Sequence, residues 1–175
     1  CHDCTGAALP YCWWITGTTN GALSMSHRSP RLSARAIIYR DGCILLSQYE
    51  DDRGFWYVAP GGGVQHGESL EAALHREMLE ELGAEVTIGP AVAIREVASL
   101  PHDEPYLPAN FHQVEVFFRC ELKDFVQAPH AMDPTQVGYH WMPLDQLAGA
   151  LFFPDAFKQH LIARAFPKIY FGTVR

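Results

Sequence analysis

From Leu32 onward, apolar and polar positions alternate in short runs that break at Gly, Pro and Asp. Residues 32–39 (LSARAIIY) and 43–49 (CILLSQY) have the aliphatic and β-branched content of strands. Asp41-Gly42 between them is a two-residue hairpin signal. Residues 55–59 (FWYVA) predict a third strand, stopped by Pro60 and a loop of three glycines. The period then changes. Over 69–82 the apolar positions Leu70, Leu74, Met78 and Leu82 fall on one face of a helix, and Gly83 closes it. Further strands are predicted over 85–98 and 112–122, separated by a loop rich in Pro, Asp and Glu. A strand at 137–142 leads through Pro143 into a short helix, and 155–166 reads as a C-terminal amphipathic helix. Many strands with one helix in the middle and one at the end predict an α/β fold, a mixed sheet sandwiched by helices.

The first 24 residues follow no such pattern, and apart from His2 and Asp3 they carry no acid or base. They lack the basic start of a signal peptide. Met25, followed by SHRSPR, makes a natural start, so residues 1–24 are expected to be an extension and 25–175 a single domain. Residues 11–19 (YCWWITGTT) are β-prone and are expected to add a strand to their own domain or to a partner subunit, which raises the prospect of a homodimer. Cys1 and Cys4 form a lone CxxC with no second pair, which reads as ordinary reduced thiols. Cys43 and Cys120 lie in strand-like runs, where a free Cys behaves as a small hydrophobe.

Composition narrows the function classes. With 48% apolar and 19% charged residues the chain reads as an ordinary soluble domain. A net charge of -7 and a pI near 5.6 leave no broad positive field for duplex nucleic acid. A phosphate-bearing small molecule stays open, because a bound dication reverses the local sign. No apolar run reaches the length of a membrane span, so the expected setting is the cytoplasm.

The specific chemistry lies in PGGGVQHGESLEAALHREMLEELGA, residues 60–84. On the helical face, Glu81 projects between Leu70 and Leu74, Glu77 borders the apolar stripe, and Glu80 lies to the side. Carboxylates at such spacing repel one another by about 0.2–0.5 kcal/mol per pair even in water. Two of them approach the buried face, where an unpaired charge costs far more. They also sit near the helix C-terminus, where the macrodipole disfavours negative charge. These penalties call for a cation. Arg76 supplies one charge; a hard divalent ion satisfies several oxygens at once. Gly61, Gly62 and Gly63 let backbone approach a ligand closely, and with the acidic helix they describe a cradle for phosphate and metal.

The same segment resembles the Nudix box, Gly, five residues, Glu, seven residues, then Arg-Glu-aliphatic-any-Glu-Glu-any-Gly-aliphatic. Gly62, Glu68, Arg76, Glu77, Met78, Glu80, Glu81 and Gly83 stand at the required spacings. Ala84 is smaller than the usual final aliphatic, and Gln65 stands where many members carry an acid. With the flanking FWYVAPGGGV and VGYHWMPLDQL, the resemblance spans about residues 32–166.

That resemblance implies a Nudix-type α/β/α sandwich with a mixed sheet and a loop-helix-loop catalytic motif. It implies a hydrolase that cleaves the diphosphate linkage of a small nucleotide-like substrate, with Mg2+ or Mn2+. By the same resemblance Glu77 and Glu81 are the principal metal ligands, Glu80 is a further ligand or base, and Gly61 offers its carbonyl to the ion. Arg76 positions the glutamates, Glu68 fixes the loop, and Gly62 and Gly63 meet the substrate. Glu115 and Glu104 join Glu80 as candidate bases, and His112 is equally a structural residue. Trp56, Tyr57, Phe117 and Phe118 either stack a base or belong to the core. Pro101 stands where ADP-ribose hydrolases of this family carry a proline, a cue diluted by its Pro-rich surroundings. Two other readings stay open: a catalytically silent Nudix domain that senses nucleotides, and an isomerase of the same fold, which requires Cys43 or Cys120 in the pocket.

Overall fold

A computed structural model describes residues 29–52, 54–99, 111–130, 132 and 135–173. The extension at 1–24, with its β-prone run, and Pro101 and Glu104 lie outside the described residues. The central strand is β1 (Arg31–Arg40). On one edge it runs parallel to β6 (His112–Phe125), from Arg31 opposite Gln113 to Ile38 opposite Cys120. On the other edge it serves two partners in turn. Tyr39 and Arg40 pair with β2 (Cys43–Asp51) across the expected hairpin. Ser33 to Arg35 pair instead with β4 (Gly61–Gly63), a strand made of the three glycines where the sequence predicts a loop.

The sheet therefore forks. After β1 leaves it, β2 pairs along that edge with β3 (Gly54–Val58), while β7 (Gln136–Pro143) covers its other edge. Ala59 and Pro60 carry the chain from β3 to β4 across the fork, and the Pro60 carbonyl accepts the Ala36 N–H at 2.8 Å. β5 (Ala84–Ala98) lies antiparallel to β6. Two short strands absent from the sequence reading finish the edges: β8 (Phe152–Phe153) beside β3, and β9 (Tyr170–Thr173) beside β5.

Alternation along β1 builds two cores. Ala34, Ala36 and Ile38 face helix α1 (Leu70–Leu82), where Leu74, Met78 and Leu82 pack on them with Val116, Phe118 and Cys120. Ile37 faces the opposite layer with Phe117, Ala93, Leu147, Phe157 and Leu161. That layer holds α2 (Lys158–Ile162), shorter than the helix expected over 155–166. A 3-10 turn occupies Asp155–Phe157, and Arg164 takes a positive φ of 53°. The chain turns back because Phe166 and Phe171 both pack edge-on against Phe157, at 5.7 and 4.9 Å. The short helix expected after Pro143 is a single 3-10 turn at Leu147–Gly149. Among the described residues, no helix is long and apolar enough to cross a membrane.

Helix α1 is fixed at both ends. Ser69 caps its start by accepting the Ala72 N–H at 3.1 Å. Gly83 ends it in the left-handed region at φ 66°, and a Cβ there would lie 1.9 Å from the Gln127 carbonyl. Gly83→Ala is therefore expected to lower stability by at least about 2 kcal/mol. A urea midpoint equal to that of the wild type would contradict this account of the helix end.

Candidate active site

Helix α1 presents Glu77 and Glu81 toward the fork, and both are buried, at 8% and 7% exposure. Glu81 Oε2 faces the Gly61 N–H at 3.4 Å and the Ser47 hydroxyl at 3.5 Å. The Glu77 carboxylate lies directly on Gly62, so close that a Cβ there would stand 2.4 Å from its carboxyl carbon. Only a glycine leaves room for that carboxylate against the strand. Burial raises the Glu77 pKa, and Arg76, with Arg35, opposes this without cancelling it.

Arg76 ties the motif together. Its Nε and Nη2 grip the two oxygens of Glu68 at 2.9 and 3.0 Å. Nη1 donates to Glu77 at 2.7 Å and to Glu80 at 3.0 Å, and Nη2 also donates to the Gly63 carbonyl at 2.9 Å. Every N–H of the guanidinium fork thus has an oxygen to meet, which a lysine cannot reproduce. The hydrogen bond from Arg76 holds the Glu68 carboxyl below its usual range. Glu68 in turn accepts the Gln65 N–H at 2.9 Å, which pins the loop into the helix. Glu80 is more open than Glu77 or Glu81, with its side chain 31% exposed.

A second arginine, absent from the sequence expectations, lies beneath the site. Arg35 on β1 donates through Nη1 to the Ala59 carbonyl at 3.3 Å and to the Gly61 carbonyl. Its Nε meets Glu115 at 3.3 Å. Burial works against its charge, but Glu115, Glu81, Tyr49 and Glu77 outweigh it and raise the pKa. Glu115 is held on its other oxygen by Arg95 and accepts from Gln113 at 2.9 Å. Burial pushes the Glu115 carboxyl up, but Arg95 and Arg35 prevail and hold it below the usual range. The clue in the sequence was a lone arginine among the small and apolar residues of LSARAIIY, and another in AVAIREVA.

The other expected residues fall in different places. Glu115 sits inside this ion-pair network, not as an open base. Trp56 is buried, stacked on Tyr49 at 4.2 Å and edge-on to Phe153 at 6.1 Å, so it presents no free ring face. Tyr57 and Phe117 belong to the core beneath α2, and Phe118 to the core beneath α1. His112 is exposed, 3.6 Å from Glu96. Cys120 is buried in the α1 core, where burial pushes its thiol up to about 12, and Cys43 follows the hairpin turn. Neither cysteine has the setting an isomerase would need.

Glu77, Glu81 and Glu80, with the Gly61 carbonyl, offer only hard oxygen donors. Among the described residues no group of three or more His, Cys, Asp or Glu stands gathered as a ready cage. Arg76 instead stands between Glu77 and Glu80 and donates to both. Burial keeps the Glu77 pKa raised despite Arg76 and Arg35, and the absence of a Gly62 side chain leaves the place its carboxylate occupies. This donor set fits a hard divalent cation.

The chain is similar to several known proteins. The chain is 41% identical over 110 residues to a CTP pyrophosphohydrolase of Escherichia coli, a match covering 55% of this chain and 79% of that protein. It is 44% identical over 55 residues to the nucleoside triphosphatase NudI of Salmonella arizonae, covering 30% of this chain but only 39% of that protein. A NUDIX hydrolase structure from Nitrosomonas europaea shares the fold, with TM-score 0.61 and 19% identity, over 75% of this chain and 85% of that one. The sequence profile of the NUDIX domain matches residues 29–165, which takes in β1, the glycine strand, helix α1 and the fork between them; the chain belongs to the NUDIX family.

Proposed function

We propose that this enzyme is a divalent-metal-dependent hydrolase that cleaves a diphosphate linkage in a nucleoside diphosphate linked to another moiety, by attack of water at phosphorus. The observation that carries the reading is the burial of Glu77 and Glu81 against the glycine strand, with Arg76 saturated by oxygens. Glu77 and Glu81 would hold Mg2+ or Mn2+, with the Gly61 carbonyl, which also accepts from Arg35, as a further donor. When bound, such an ion neutralises phosphate oxygens and makes water more acidic. Arg76 keeps Glu77 and Glu80 oriented, and positioning of this kind dominates catalysis at phosphorus. Glu80, more exposed than Glu77 and Glu81, takes the proton from the attacking water. Gly62 and Gly63 would meet the diphosphate beside the Glu77 carboxylate and the Arg76 guanidinium that lie on them. The names of the two sequence relatives favour a nucleotide over a sugar phosphate as substrate.

Turnover of a nucleotide panel with Mg2+ or Mn2+ tests the reading directly. The wild type is expected to turn over at least one nucleoside triphosphate or nucleoside diphosphate derivative, and only with metal. Glu81→Gln is expected to lower kcat at least ~100-fold, about 2.7 kcal/mol of transition-state stabilisation. A folded wild type that binds nucleotides without turning any over would make the chain a nucleotide-sensing module instead.

Gly62→Ala tests the cradle separately. The added methyl collides with the Glu77 carboxylate, so Mn2+ affinity is expected to fall ~10-fold or more while the fold persists. An unchanged dissociation constant in a Mn2+ titration would show that Glu77 does not need its present place.

A further inference from the structure

Arg95, Glu115 and Arg35 form a line across three neighbouring strands. Arg95 on β5 lies opposite Glu115 on β6, and β6 runs beside β1, which carries Arg35. All three side chains are largely buried, at 6%, 5% and 11% exposure. Gln113 braces the line, donating to Glu115 at 2.9 Å and to the Ser33 hydroxyl at 3.2 Å. Stability alone gives little reason for such an arrangement. A buried Arg-Glu-Arg group pays heavy desolvation, and apolar residues of similar volume often hold a fold equally well. Its far end explains more. Arg35 donates to the carbonyls of Ala59, in the crossing, and Gly61, where β4 begins, and its charge is felt by Glu81 and Glu77.

We infer that Arg35 is a positioning residue of the active site, and that Glu115 acts through it. Glu115 and Arg95 fix the guanidinium plane. The guanidinium then fixes the backbone at Ala59 and Gly61, and with it the Gly61 N–H that faces Glu81 and the Gly62 Cα that faces Glu77. A planar fork is needed because three separate oxygens are held at once: Glu115 Oε1, Ala59 O and Gly61 O. This inference rests on the hydrolase reading for its kinetic consequences but not for its consequence for metal binding.

Arg35→Lys keeps the charge and loses the fork, and Glu115→Gln keeps the shape and loses the charge that anchors it. For each, kcat is expected to fall ~10- to 100-fold with KM changed less than about threefold. The Mn2+ dissociation constant, measured without substrate, is expected to rise ~10-fold. Because the two residues act as one chain, the double variant should lose little more than either single variant. The acid limb of the kcat–pH profile should stay in place in Glu115→Gln. Loss of that limb would make Glu115 the general base and overturn the inference. So would additive losses, or wild-type kcat and Mn2+ affinity in a variant whose melting temperature alone has dropped. If Glu115→Gln fails to fold, Arg35→Lys decides through the same two measurements. If the wild type itself turns over no nucleotide, the hydrolase reading fails, and Mn2+ affinity in Arg35→Lys still decides the positioning role.

Discussion

The carboxylates of Glu77 and Glu81 are buried between a helix and a sheet, and their charge has to be balanced where they lie. An uncompensated carboxylate at such a place costs several kcal/mol. Arg76 contributes from the helix side, tying Glu77 and Glu80 to Glu68 and to the Gly63 carbonyl. Arg35 contributes from beneath, through the strand that carries the core. Burial still raises the Glu77 pKa against both arginines.

The fork in the sheet gives this charge balance its geometry. β1 pairs with β2 only at its end and with the glycine strand at its start, so the chain crossing between β3 and β4 opens a gap. Helix α1 closes over that gap, with Ser69 and Gly83 fixing its two ends. Ala34, Ala36 and Ile38 hold β1 against the helix, and Ile37 holds it against the opposite layer. A strand packed on both faces cannot shift, so Arg35 is delivered to the fork with little freedom. Core packing and site geometry are therefore one constraint.

Some of this was legible because it is local. The helix, its Gly83 stop and the intrusion of Glu77 and Glu81 into the apolar stripe follow from spacing along a few turns. The glycine run was read as a loop, since three residues without side chains show no period. Its strand character comes from β1, some thirty residues earlier in the chain. Trp56 illustrates the opposite limit. An aromatic at strand periodicity suits a stacking platform or a core equally, and only the neighbouring Tyr49 and Phe153 put it in the packing.

Glu115 and Arg35 mark the boundary most clearly. Each was visible as a charged residue in an apolar strand, but they are 80 positions apart, and Arg95 is 20 positions from Glu115. A carboxylate alone on a strand reads as a candidate base; the same carboxylate between two guanidinium groups is an anchor. The family, the helix that bears the carboxylates and the glycines that make room for them are readable along the chain, because those depend on residues a turn or two apart. Which charges meet is settled by the folded arrangement of strands, because a buried charge takes its character from whatever strand pairing places within a few ångströms of it.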